Sequence, residues 1–465
     1  MQAAAIASHR FGFSETSLAV LQGDPRGWVT AQLRNPAPLD GSGLASGFEA
    51  LRLGRRVVQA ALTEQAQTAL GAAMLPADAA KAGKPEREAQ PDRRALRQAN
   101  GRALQRRWQH IVSTPTPVYE RWVMFWANHF SVSATKGSTL GMVAPHEREA
   151  IRPHATGSFA ALLRAATLHP AMLLYLDNAQ SIGPNSRAGH RRARGLNENL
   201  ARELLELHTL GVNGGYAQAD IGELAKLLTG WTVARDEETA ADGANASAVR
   251  FAAALHEPGS KRVLGKTYPA GAEAVDALFT DLARHPSTAR FVSTKIARHF
   301  VADAPPAALV DALAARFQAT DGDLMAVAQT LFSHDLAWRA DTPSKFKRPE
   351  ELLLSAHRML KLPLVQTERS ALALVAMGQA VGRAPSPAGW PDRSEDWLAP
   401  DALWKRVEWA GSFAAEHAAM ADARQLAELS LGRDLSADTR AQIERAASGS
   451  QALALWLASP EFQRR

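Results

Sequence analysis

Helical periodicity runs through nearly the whole chain, and one stretch alone alternates as a strand pair would. Apolar residues recur at three- and four-residue spacing in PVYERWVMFWANHF, LNENLARELLELHTLG, STARFVSTKIARHFV, LVDALAARF and PEELLLSAHRML. Such spacing lays an apolar stripe along one side of a helix and leaves no alternation for a half-buried strand. Alanine and leucine dominate while tyrosine and isoleucine are scarce, so summed propensity agrees with the pattern. The expected fold class is all-α, mainly helical, with one small β-hairpin insertion.

Breakers divide the helical stretches. SETSLAVLQGDPRGWVTAQL reads as two short helices joined at Gly23 to Pro25, and a longer helix is expected across Gly47 to Leu70. Between residues 76 and 91 alanine, lysine, proline and glutamate replace the apolar period, which marks an exposed linker or a frayed segment. TPTPVYERWVMFWANHF opens on a proline pair and places Trp122, Trp126 and His129 on one stripe. One helix is expected from Phe159 to Leu176. A further one, from Asn197 to Leu210, is closed by Gly211 in a left-handed cap, and another runs from Gln218 to Leu228 and stops at Gly230. Within 249–268, VRFAAALHEPGSKRVLGKTY holds two short runs around Glu257, Pro258, Gly259 and Ser260, the expected hairpin turn. No fixed-length repeat is present, and 1–465 is expected to be one continuous helical domain.

Composition narrows function mainly by exclusion. Cysteine is absent, so disulfides, thiolate nucleophiles and cysteine metal sites are excluded, and any metal would need His, Asp, Glu or Asn. The net charge is +6, but the arginines are scattered over helical faces, so a nucleic-acid partner is not expected. No stretch approaches the roughly 18 apolar residues of a membrane span. MQAAAIASHRFGF lacks the basic and apolar regions of an export leader, so the expected location is cytoplasmic, or exported if a leader was trimmed.

The densest polar cluster is Asn197, Glu198, Asn199, Arg202, Glu203, Glu206 and His208. At 100° per residue Asn199, Arg202, Glu203 and Glu206 share one face of a helix, opposite Leu200, Leu204 and Leu207. Glu203 and Glu206 could hold a hard cation or split their pKa values into an acid and a base, or the face could simply be solvated. His208 projects among the leucines, as a hydrogen-bonded core histidine would. His129, beside Asn128 at the end of the aromatic helix, is a candidate proton carrier or ligand in a dry pocket, or a core residue. Asp177 and Asn178 end a helix, where short polar side chains close turns. Arg187, His190, Arg191, Arg192 and Arg194 form a basic loop able to grip an anion or an acidic polymer. His256 reads as a lid residue or a surface turn. Gly265, Lys266 and Thr267 sit in a strand context that does not suit a phosphate loop, and neither a nucleophile elbow nor a zinc-protease pair occurs.

Taken in order, HRFGF, FWANHF, LLYLDN, GLNENLARELLELHTLGV, GGY followed by Asp220, LLTGW, the His256-to-LGK stretch, HPSTARFVSTKIARHF, KFKRPEELL and PAGWPD resemble the motifs of the bacterial domain of unknown function 1800 family over nearly the full length. The resemblance implies a large helical protein, in many members exported, often encoded beside a second uncharacterised family resembling phosphatases and sulfatases, which makes such a protein the expected partner. It implies no catalytic residues. Ala217 departs from the threonine that often caps the next helix; a lost cap is typically worth about 1 kcal/mol.

Two functions are consistent with these residues. One is an enzyme or a metal- or ligand-binding protein with a polar pocket around the NENLARELLELH helix. In it Glu203, Glu206 and His129 are catalytic, and Asn128, Asp177, Asn197, Asn199, Arg202, His208, Arg191 and Arg192 bind. A divalent metal is the cofactor this pocket could take. The alternative is a helical scaffold binding a partner protein or acidic polymer through the basic loop and residues 76–91.

Overall fold

Short polar side chains and prolines start the helices, as the sequence suggests. The computed structural model describes residues 2–74, 90–191, 195–234, 248–420 and 422–465; most of the expected 76–91 linker lies outside them, as do Arg192 and Arg194. Asp24 accepts from Gly27 N at 2.8 Å and starts the helix Pro25–Arg34. The expected Phe159 to Leu176 helix is instead two, Phe159–Leu168 and Pro170–Tyr175. Pro170 cannot continue a helix and holds His169 extended; the His169 ring then accepts from Ala171 N at 3.2 Å and caps the second piece. Downstream helices at Pro286–Phe300, Ala307–Ala319, Leu324–Ser333 and Pro349–Met359 follow the sequence pattern.

The chain is mainly helical with a small antiparallel β addition, whose pairing differs from the expected one. Strand β1 (Trp231–Val233) pairs with β2 (Val249–Phe251), and β3 (Lys261–Val263) pairs with β4 (Lys266–Tyr268). The hairpin turn is Leu264–Gly265, both at positive φ, as the tightest two-residue turn requires. Glu257 to Ser260 does not turn a hairpin, because its polar groups are drawn inward. The Glu257 carboxylate accepts from Asn185 N at 2.8 Å and Asn185 Nδ2 at 2.6 Å, and Lys261 Nζ donates to the Gly259 carbonyl at 2.8 Å.

Apolar burial falls into two clusters. The first gathers Phe11, Trp122, Trp126, Phe130, Phe159, Phe300 and Phe332 around the Pro117–His129 and Pro286–Phe300 helices. The second contains Phe13, Trp108, Leu352, Leu353, Phe413 and Trp456. The aromatic helix serves both, with Trp122 and Trp126 in the first and Met124 in the second. His129 is on the tryptophan stripe and is buried with it.

Between the clusters lies a charged node. The Glu351 carboxylate is fully buried and accepts from Arg121 Nη1; Arg465 Nε stands 3.2 Å away, and the second oxygen accepts from Arg348 N at 2.8 Å. Burial opposes the charge of Glu351, but Arg465, Arg121 and Arg348 together hold its carboxyl well below the ordinary value of 4.5. Its contribution to stability is therefore complete above that value. Replacing Glu351 with glutamine leaves Arg121 and Arg465 uncompensated, and urea unfolding at neutral pH is expected to show a loss of about 3–5 kcal/mol.

Candidate functional site

The NEN block folds as one α-helical turn and a wider turn. Asn199–Glu203 is α-helical, and Leu204–His208 forms a π turn. Asn197 sets the start, its Oδ1 accepting from Asn199 N at 2.9 Å. The π turn inserts an extra residue and rotates the register, so Leu205 and His208 are buried while Leu207 is only half-buried. Gly211 closes the element at φ +82°, where an added Cβ would meet the Phe291 ring.

On the outer face Arg202 bridges Glu198 at 3.3 Å, Glu206 at 3.6 Å and Gln218 Oε1 at 3.2 Å, and Gln218 Nε2 donates to Glu198 at 2.8 Å. Asn199 is exposed. This ladder ties the block to the Gln218–Leu228 helix. At the start of that helix Ala217 N donates to Asp220 at 2.8 Å, and the alanine methyl accepts nothing in return. The half-buried Glu203 makes no hydrogen bond among the described residues; burial, with the charge of Glu206 second, raises its carboxyl pKa.

His129 and His208 do meet, through the backbone. His129 Nε2 donates to the His208 carbonyl at 3.1 Å, and the rings are 6.0 Å apart. His129 Nδ1 and both ring nitrogens of His208 lack a hydrogen-bond partner among the described residues, so within them His208 is a core histidine whose ring is not hydrogen-bonded. Burial and the nearby Lys295 charge lower the pKa of both rings, that of His208 to about 3.

Asp177 accepts from Lys136 Nζ at 2.7 Å, and Asn178 Nδ2 donates to Leu228 and Trp231 carbonyls at 3.2 and 3.0 Å, pinning β1. His256 is neither a lid nor a surface residue: it is buried, Nδ1 donating to the Thr229 carbonyl at 2.7 Å and Nε2 accepting from Gly271 N at 3.1 Å. Of the basic loop, Arg187, His190 and Arg191 are exposed. Among the described residues, no three His, Asp or Glu side chains are placed to hold a metal ion.

Asn128 leads to a cavity that none of the NEN residues lines. Its Nδ2 donates to the Trp390 carbonyl at 3.0 Å and its Oδ1 accepts from Trp390 N at 2.8 Å. A side chain on Gly389, at φ +83°, would overlap Asn128, so FWANHF and PAGWPD lock together. Beside them opens a cavity of about 490 Å³, walled by the Gln90–Ser113 helix, the end of the aromatic helix, residues 140–148 and 379–384, and Arg348 with Glu350. Its body is apolar, with Leu96, Leu104, Met124, Val132, Leu140 and Val381. Glu350 accepts from Arg107 at 2.6 Å and Trp108 at 2.9 Å; Glu147 accepts from Arg107 at 2.7 Å and Arg152 at 3.1 Å.

The fold is mainly helical, with this cavity beside the end of the aromatic helix. The chain belongs to the family described as protein of unknown function, DUF1800, which matches residues 6–464. No curated protein and no solved structure matches it. Among the described residues no helix is long and apolar enough to cross a membrane.

Sequence reasoning passed over Arg107, Arg348 and Glu350. Arg348 and the acids after Pro349 read as an ordinary polar helix start, and their burial depends on a partner helix more than 240 positions earlier.

Two expectations follow. The raised Glu203 carboxyl disfavours the charged form in the folded chain, a penalty that develops as pH rises above 4.5. Melting temperature of Glu203→Gln should equal or exceed the parent at neutral pH and converge with it below that value; a marked loss would show Glu203 to be a structural ion-pair partner. His208 behaves oppositely, being favoured as the neutral ring: its contribution is complete above pH 6.5 and declines as pH falls towards about 3. His208→Leu should flatten the fall of melting temperature across that window, and an unchanged slope would contradict the assignment.

Proposed function

We propose that this chain binds a small apolar molecule in the cavity beside Asn128. One observation supports the reading most directly: about 490 Å³ of space with a largely apolar lining sits among fixed polar groups. That volume lies within the roughly 300–1,000 Å³ of small-molecule sites. Packed interiors ordinarily leave few voids larger than a water molecule. The wall is held independently of any ligand, since Asn128 is locked to Trp390 and Glu350 to Arg107 and Trp108. Binding therefore needs little reorganisation.

A second reading, binding or catalysis at Glu203 and Glu206 with His129, is favoured by the raised, hydrogen-bond-free carboxyl of Glu203. It offers acid–base chemistry at Glu203, with Glu206 and Arg202 beside it.

The cavity reading is tested with the neutral, polarity-sensitive dye Nile red. Its emission should rise and shift to the blue with the parent protein. Ala127 lines the cavity, so Ala127→Phe fills space and should abolish the response without lowering the melting temperature by more than a few degrees. An absent response in the parent, or one unaltered by Ala127→Phe, would remove the reading.

A further inference from the structure

Six arginines and two glutamates line the cavity, and no lysine, aspartate or histidine does so among the described residues. Most of these charges are spoken for. Arg107 is held by Glu147 and Glu350, and Arg148 by the Ala45 carbonyl and Glu149. Arg97 and Arg383 are exposed, where water screens a charge.

Arg348 is different. Its side chain is 5% exposed, yet its guanidinium makes no hydrogen bond among the described residues. The one carboxylate oxygen within ion-pair reach is on Glu351, 3.9 Å from Nε, too far for a hydrogen bond. Glu351 already has closer cations in Arg121 and Arg465. A guanidinium carries five donors; here the Nε–H is buried without a partner among the described residues, which is costly. On the same wall is Gln379, 2% exposed. Its Oε1 accepts from Glu350 N at 2.8 Å, which leaves its amide N–H groups without an acceptor among the described residues.

We infer that the cavity's ligand is an apolar molecule with a single carboxylate head, the head received by Arg348 and Gln379 and the body by the leucine- and valine-lined space. This rests on the cavity reading above. A carboxylate supplies two acceptor oxygens in the plane an arginine fork matches. A single head is assigned because one guanidinium fork matches one carboxylate, Glu147 and Glu350 being already occupied by Arg107 and Arg152.

The experiment is displacement of Nile red from the full chain by dodecanoate, dodecanol and dodecyl phosphate, in the parent and in Arg348→Gln. In the parent, dodecanoate should displace the dye at least about tenfold more tightly than dodecanol, the discrimination expected of a charged hydrogen bond. Arg348→Gln should erase that preference and leave dodecanol unchanged, dodecanol also reporting that the variant is folded. Equal displacement by acid and alcohol in the parent, or a preference that survives Arg348→Gln, overturns the carboxylate assignment while leaving the cavity reading intact. Tighter displacement by dodecyl phosphate than by dodecanoate overturns the single-charge assignment. Failure of the dye to bind the parent, or of every competitor to displace it, overturns the cavity reading itself. Should Arg348→Gln bind no dye, Arg348→Lys decides: a retained preference for the acid supports the assignment and a lost one overturns it.

Discussion

One buried carboxylate ties together the remote segments that meet beside the cavity. Glu351 joins segments that are remote in sequence: Arg121 on the aromatic helix, Arg465 at the far end, and Arg348 through its backbone N–H. Arg121 extends the node by donating from Nε and Nη2 to the Gly12 carbonyl at 3.0 and 2.6 Å, which fixes HRFGF against the same helix. Removing such charges from water is expensive, and Coulomb attraction repays it only where the remaining polar atoms are satisfied. Here the surplus is positive, and the nearby Lys347 amine answers it by a pKa held well below its ordinary value, through burial first and Arg121 second. It still donates to Ser14 Oγ at 3.0 Å.

The node also sets what the neighbouring residues can do. With Glu351 turned inward, Glu350 on the same helix start reaches the cavity wall. There an alternating series runs from His110 to Glu120, Arg152, Glu147, Arg107 and Glu350, each carboxylate lying between donors. Burial opposes the charge on Glu120, yet Arg152 and His110 bring its carboxyl down to about 2. Alternation of this kind admits one arrangement of side chains, since displacing any member places like charges together. The cavity therefore has a stiff polar wall facing a softer wall of leucine, valine and methionine.

How much of this was legible in the sequence depends on the range of each interaction. The helices follow from local spacing, and so do the burial of Trp122, Trp126 and His129 and the left-handed cap at Gly211, because each is decided within a few residues. The strand pairing was not, because Glu257 turns inward to reach Asn185, a contact across 72 positions. The Phe159 to Leu176 break was visible in Pro170, although the apolar run through it masked the signal. Among the candidate site residues, His129 and His208 are together, Asn128 is at a cavity, and Asn197 turns the chain into a helix. The pairing of Arg107 with Glu350 had no local signature, because arginine and glutamate are equally at home on a wet helix face.

The NEN block and Arg348 differ in what their identities demand. Asn197 is used by its bond to Asn199 N and Arg202 by Glu198, Glu206 and Gln218, so geometry within the chain accounts for much of that block's character. The guanidinium of Arg348 makes no hydrogen bond among the described residues, and its charge acts on Glu351 and Asp392 only at longer range. Its backbone serves Glu351 as any residue's would, and the carboxylate beyond is already engaged by two arginines. A leucine or methionine would fill the same space without bringing an unpaired Nε–H out of water. A guanidinium that helps hold Glu351 charged without hydrogen-bonding to it, at the edge of an apolar space, leaves donors open to a partner that is not part of the chain.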